Sequence, residues 1–152
     1  MKNKTLALLI TLLMSTPSWS FLCYITLVKD NCWKDYSVTV DITNSATGGV
    51  MTTISVPKGE AWFRQTFECE PNQKLMYIAT FSPVFWEKDI GKNYHALNFW
   101  SLPTEINPGD SAWNVSVCYP ADFSSVPTPP QATADCKCDF ASIPIIPPKK
   151  AP

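Results

Sequence analysis

Apolar and polar residues alternate along several short stretches of this chain, and this alternation constrains the fold more than any other feature. The clearest case is residues 36–43, where Tyr36, Val38, Val40 and Ile42 alternate with polar residues. A period of two is typical of a strand with one buried face. About seven such strands follow one another at intervals of roughly eight to twelve residues. No stretch has a helical period, so we predict an all-β chain: a single β-sandwich, immunoglobulin-like or a small barrel.

Residues 61–100 contain about half of the aromatic side chains of the chain and predict its structural centre. An alternating stretch at 61–69 predicts a strand, and a turn follows at 70–73. The stretch 74–82 then predicts the returning strand. These observations favour a β-hairpin at the centre of the core. Residues 94–102 predict a further strand of mixed polarity.

The first twenty residues are typical of a signal peptide. Lys2 and Lys4 precede a short apolar run at 6–14, and small residues follow it, which predicts cleavage before Phe21. The run is too short to cross a bilayer, so no transmembrane segment is expected. We therefore predict residues 1–20 as a signal peptide and an exported product, either periplasmic or secreted.

Cleavage would change the formal net charge from −1 to −3, because every Asp and Glu lies after the signal peptide. A weakly acidic chain without a basic stripe is not expected to bind nucleic acid. The same weak acidic balance argues against an electrostatic hold on anionic membranes.

The cysteines provide a second constraint, because all six remain in the exported product: Cys23, Cys32, Cys69, Cys118, Cys136 and Cys138. An even number in an exported chain predicts three disulfides. A bond between Cys136 and Cys138 would be strained, which leaves roughly 12 of the 15 connectivities open. Cys118 lies on the polar face of the predicted last strand, residues 113–119, and is a natural partner for either of them.

The composition changes after residue 119, where prolines become frequent and the strand pattern ends. Pro-rich chain favours extended, polyproline-like conformations. We therefore assign residues 21–119 to the β-sandwich domain and residues 120–152 to a Pro-rich C-terminal tail. Disulfides through Cys136 and Cys138 would staple this tail to the domain.

No constellation of residues indicates catalysis. His95 is the only histidine, and it lies outside any nucleophile motif. Five acids near predicted turns are candidates for glycoside hydrolysis by composition alone: Glu60, Glu68, Glu70, Glu87 and Asp89. A metal or redox role for Cys136 and Cys138 is an alternative to disulfides, but zinc motifs are missing. We expect no enzymatic activity, no cofactor and no metal.

One candidate binding surface lies on the outward face of the strand at 61–69. Trp62 and Arg64 share this face, where an indole beside a guanidinium can bind a sugar ring, a peptide or a Pro-rich segment. In a competing interpretation, the chain's own Pro127, Pro129 and Pro130 lie across Trp62. The consecutive aromatics at 85–86 and 99–100 are assigned instead to the core or its rim.

Three stretches carry a family resemblance: Val56–Gly59, Phe81–Trp86 and Cys118–Phe123. In these the chain resembles small exported β-rich proteins of Legionella-type bacteria. The resemblance implies export to a bacterial periplasm or beyond, and it implies no particular activity.

Together these features predict a non-enzymatic interaction protein of the cell envelope or the secreted fraction. It would recognise a protein partner through its sheet surface, an edge strand or the Pro-rich tail. The alternatives are a carbohydrate-binding module with a glycan partner and, third, a secreted hydrolase.

Overall fold

The computed structural model describes residues 20–133 and 135–146. This part of the chain is all-β, as predicted, and it contains two single-turn 3-10 helices and no α-helix. The 3-10 helices are Asn31–Trp33 and Glu87–Asp89. The strands are β1 (Phe21–Lys29), β2 (Ser37–Asn44), β3 (Val50–Val56), β4 (Trp62–Cys69), β5 (Lys74–Ser82), β6 (Tyr94–His95), β7 (Trp100–Ser101) and β8 (Trp113–Tyr119).

Two predictions from the sequence concern residues that lie partly beyond these ranges. The predicted signal peptide lies outside the described chain except for Ser20, and β1 begins at Phe21, directly after the predicted cleavage site. The last six residues of the predicted tail also lie outside it. Within the described ranges, no helix has the length and hydropathy needed to cross a membrane.

The strands form two sheets. The first has three strands in the order β4-β1-β8, with β1 antiparallel to β4 and parallel to β8. The second has the order β3-β2-β5-β6, and β7 also pairs with β5. Residues 44–49 form the loop that closes the β2–β3 hairpin, where the Asn44 amide donates to the Gly49 carbonyl at 2.9 Å.

The predicted hairpin of 61–69 and 74–82 is wrong, although both strands exist. β4 pairs with β1, whereas β5 pairs with β2, so the turn between them carries the chain from one sheet to the other. The alternation of apolar and polar residues specifies which side chains of a strand face inward, but it does not specify which other strand pairs with it. β4 is therefore an edge strand, and β1 is the centre of its sheet.

The inner faces of both sheets contribute to one apolar cluster. Ile25 of β1, Val115 and Val117 of β8, and Val38 and Val40 of β2 are all almost completely buried in it. The inward positions predicted for residues 36–43 are thus confirmed. Burial of these faces against each other supplies most of the hydrophobic driving force for the two-sheet arrangement.

Three disulfides cross-link the chain, as predicted: Cys23–Cys69, Cys32–Cys136 and Cys118–Cys138. The first joins neighbouring strands β1 and β4. The other two attach the region around residue 137 to the body, and the Lys137 amide adds a 2.8 Å hydrogen bond to the Asn31 side chain. Cys32 and Cys136 lie beside Asp30, but bonded sulfurs provide no thiolate for a metal.

The strand predicted at 94–102 is interrupted. β6 and β7 each have two residues. The Ala96 amide still donates to the Tyr77 carbonyl of β5 at 2.9 Å, and residues 97–99 then leave β5 to meet a later part of the chain. Ala96 forms an isolated bridge with Phe123, and the Leu97 amide donates to the Asp122 carbonyl at 2.9 Å. This competing pairing turns residues 97–100 toward β8.

Candidate functional site

The predicted surface at Trp62 and Arg64 is engaged by the chain itself. The Arg64 guanidinium lies 5.8 Å from the centroid of the Trp62 ring. Its Nε donates to Thr26 Oγ1 at 2.8 Å, and its Nη1 donates to the Pro144 carbonyl at 2.7 Å. Nη1 therefore holds the C-terminal segment against the sheet, whereas Nε is bonded to β1, so two of the donors that a ligand would use are already engaged.

The prolines named with this surface lie in a different neighbourhood. Pro129 is buried, and Gln131, two residues later, accepts a 3.1 Å hydrogen bond from the Tyr36 hydroxyl. Tyr36, just before β2, belongs to an aromatic cluster with Trp33, Phe81 and Phe85. Pro127 and Pro130 flank Pro129 in this stretch. The part of the tail that lies beside Arg64 is instead residues 140–146, because Arg64 donates to the Pro144 carbonyl.

A groove of about 400 Å³ follows the outer face of the three-stranded sheet. Thr26, Arg64, Asn114 and Ser116 form its floor, and residues 140–146 supply its apolar wall. Because the chain's own C-terminal segment already occupies one side, this groove is less open to a partner than the free edge of the same sheet.

That free edge belongs to β8, which among the described residues pairs with β1 on one side and with no strand on the other. The Asp30 amide donates to the Tyr119 carbonyl, so the odd-numbered residues of β8 direct their backbone groups toward β1. In a parallel ladder the alternate residues direct both groups the other way. The amides and carbonyls of Asn114 and Ser116 therefore face outward along the edge.

A pocket of about 230 Å³ borders this edge. Its lining comes from β5, the 97–100 segment, β8 and the turn after β8: Tyr77, Leu97, Asn98, Phe99, Trp100, Ser116, Val117 and Asp122. Leu97 is 58% exposed and Phe99 57%, and Trp100 is also exposed. Three large apolar side chains thus stand open to solvent beside backbone groups of Asn114 and Ser116 that have no strand partner in the described part of the chain.

Two polar groups lie among these apolar side chains. Tyr77 is 3% exposed, and its hydroxyl has no hydrogen-bond partner in the described chain. Burial, followed by the nearby Asp122 carboxylate, raises the pKa of Tyr77. Asp122 is exposed, and its Oδ2 accepts a 2.6 Å hydrogen bond from the Cys118 amide. The pocket therefore combines apolar walls with a carboxylate and a buried hydroxyl.

Sequence reasoning missed this pocket because it assigned Phe99 and Trp100 to the core or its rim. Consecutive side chains of an extended chain point to opposite sides, so two adjacent aromatics cannot both be buried in a one-sided core. The adjacency of these two aromatics was therefore the signal in the sequence that one of them lies outside the core. No comparable signal in the sequence indicated that Asp122 lines this pocket, because its position depends on the Ala96–Phe123 bridge.

The residues considered for catalysis are dispersed. His95 is exposed on β6, and its carbonyl accepts from the Ser124 amide at 2.8 Å. Asp89 is buried and forms a 2.9 Å ion pair with Lys92. Glu60 lines a different cavity, at the end of β1. Of the five acids, Glu60 and Asp89 thus line separate cavities.

A buried lysine lies at the end of β1. Lys29 Nζ donates to the carbonyl oxygens of Tyr36 at 2.6 Å and Pro57 at 2.8 Å. Burial lowers the pKa of Lys29 to about 8, although Glu60 and Asp35 act in the opposite direction. Its ammonium joins two loops, so its role is structural.

This lysine predicts an alkaline rise in stability. Between its folded pKa of about 8 and its unfolded value of 10.5, the unfolded chain binds more protons, so the free energy of unfolding increases with pH. We expect a gain of about 1–3 kcal/mol. Above about pH 10 the gain reverses, because burial raises the pKa of Tyr77 and Tyr119 and only the unfolded phenols ionise.

Urea unfolding of the wild type and a Lys29→Met variant from pH 7 to 11 measures this effect. The variant should lack the rise between pH 8 and 10 but keep the later fall. A wild-type stability that is flat or decreasing between pH 8 and 9.5 would contradict the assignment.

Comparison with known proteins adds no family assignment: no protein-family model, curated protein or solved structure matches this chain.

Proposed function

We propose that this protein is an exported, non-enzymatic interaction module that binds an extended segment of a partner protein along the free edge of β8. The added segment would become a fourth strand of the three-stranded sheet. One observation carries the proposal: the backbone amides and carbonyls of Asn114 and Ser116 face the free edge, beside the pocket of exposed apolar side chains. Strand addition uses backbone bonds for affinity and adjacent pockets for selectivity.

The composition of β8 supports this choice of edge. Soluble proteins protect their edge strands with charged residues, proline or bulges, because an open edge pairs readily with other chains. The sequence of β8, WNVSVCY, contains neither a charged residue nor a proline. At the opposite edge of the sheet, β4 is bridged to β3 by the Gln65 side chain, which donates to Thr52 Oγ1 and the Thr53 carbonyl.

Export and architecture form the rest of the proposal. Three disulfides are consistent with an oxidising compartment, which we take to be the periplasm or the extracellular medium. We interpret the two sheets as an immunoglobulin-like β-sandwich with residues 120–152 as an attached tail. Such a module presents a rigid edge to its partner, so little backbone ordering is lost on its own side of the interface.

The experiment that tests strand addition separates the backbone of Ser116 from its side chain. A display library of random ten-residue linear peptides is panned against the oxidised wild-type protein. Enriched peptides are then measured against Ser116→Ala, which keeps the amide, and Ser116→Pro, which removes it. The Ser116 amide faces away from β1, so proline at an edge position is compatible with folding.

We expect the alanine variant to bind like the wild type and the proline variant to lose about tenfold or more. Melting curves of both variants should stay close to that of the wild type. Equal binding by the two variants would overturn strand addition. Failure of the library to enrich any peptide, together with retention of the protein on a panel of polysaccharides, would replace it with glycan binding.

A further inference from the structure

The pocket beside β8 has the dimensions of a site for one side chain. Its volume of about 230 Å³ lies below the 300–1,000 Å³ that is typical of small-molecule sites. Ser116 and Val117 of the edge strand form part of its lining. A residue of a segment paired with β8 would therefore be placed directly over its opening.

The charge of the lining favours a cation. Asp122 contributes the only charged side chain among the lining residues, and none of them is lysine, arginine or histidine. The pocket has two aromatic walls, Phe99 and Trp100, whose faces attract cations. A carboxylate next to aromatic faces is the combination that binds a guanidinium or an ammonium group.

Tyr77 provides a second, independent observation. Its hydroxyl is buried without a hydrogen-bond partner in the described chain, which is an unfavourable arrangement for the folded protein alone. An arginine side chain carries five N–H donors in a planar fork, enough to reach a carboxylate and a hydroxyl together. Tyr77 also lines the pocket, so an arginine bound there would lie next to this residue.

We propose that the pocket formed by Tyr77, Phe99, Trp100 and Asp122 selects an arginine, and less strongly a lysine, in the extended segment that pairs with β8. This inference rests on the proposed strand addition and adds a specificity to it. The Asp122 carboxylate accepts from the guanidinium, and the planar group stacks on an aromatic wall. Arginine is preferred because lysine lacks the planar fork.

The test uses edge-dependent peptides, which are those from the ten-residue library that bind Ser116→Ala like the wild type but lose binding to Ser116→Pro. Each peptide is remade with citrulline or lysine in place of arginine. Citrulline keeps the shape of arginine but removes the charge. The variants are Asp122→Asn, which keeps an oxygen for the Cys118 amide, and Tyr77→Phe. Glu68→Gln is the matched control, because Glu68 is exposed on β4, at the other edge of the same sheet.

We expect the wild type and Glu68→Gln to prefer arginine over citrulline by about tenfold or more. Asp122→Asn should reduce this preference to about twofold or less, and Tyr77→Phe should weaken arginine peptides without lowering the melting temperature. Edge-dependent peptides without a basic residue, or a preference unchanged in Asp122→Asn, would overturn the pocket and leave strand addition intact. Absence of any edge-dependent peptide would overturn both.

Discussion

Complete reduction of the disulfides is expected to unfold this protein at 25 °C. The bridges close loops with sequence separations of 46, 104 and 20 residues. Loop-closure entropy of this size corresponds to about 3–5 kcal/mol for each bridge. A domain of this length has a total unfolding free energy of about 5–15 kcal/mol, so the loss of three bridges is comparable to all of it.

The measurement is circular dichroism of the oxidised protein and of protein reduced and then alkylated, followed through a thermal melt. The oxidised sample should show a cooperative transition, and the alkylated sample should show none. Oxidised protein carried through the same alkylation step is the control. A reduced protein that melts at the oxidised temperature would show that the bridges do not hold the fold.

Partial reduction should reveal an order among the bridges. Cys23 and Cys69 are almost completely buried, whereas Cys118, Cys136 and Cys138 are partly exposed. Exchange requires a thiolate to reach a sulfur, so the two bridges of the C-terminal segment should open first. Mass spectrometry of alkylated fragments would identify them.

The strands could be predicted from sequence because alternation is a local property. The stretches 74–82 and 113–119 became β5 and β8 with the same bounds. Cys118 was placed opposite the inward residues of its strand, and it does bond to Cys138. The alternation of side chains and the number of cysteines can be read from one sequence without knowing which strands pair. Strand positions and the presence of disulfides were therefore predictable.

Strand pairing could not be predicted in the same way. β4 and β5 each have one inward apolar face and are joined by a short turn, a combination that suits a hairpin. The structure places them in different sheets, with Cys69 of β4 bonded to Cys23 of β1. Pairing depends on long-range competition among all the strands, and no local pattern records the outcome.

The candidate site was missed for the same reason. Tyr77, Trp100 and Asp122 lie far apart in the sequence, and only the break between β6 and β7 brings their segments together. Lys29 shows a related limit. Lysine is normally solvated, so no local pattern marks its burial, whereas two backbone carbonyls from residues outside β1 compensate part of its desolvation here.

The second large effect is expected at Trp33, the centre of the aromatic cluster. Trp33 is 1% exposed, and its ring lies 4.8 Å from both Phe81 and Tyr119, measured between centroids. Trp33→Ala should therefore cost about 3–5 kcal/mol, because the cavity left behind cannot be refilled by rigid strands. The melting temperature should fall by roughly 10–20 °C.

Trp86→Ala is the matched control, since it removes the same side chain from a position that is 45% exposed. We expect a cost below about 1 kcal/mol in urea unfolding. Similar costs at the two positions would mean that Trp33 does not organise the core.

Because Trp33 packs on Tyr119, just before the turn that carries Asp122, its loss should also weaken the binding of edge-dependent peptides. Trp86→Ala should leave that binding unchanged, which separates support of the pocket from a general effect of removing an indole.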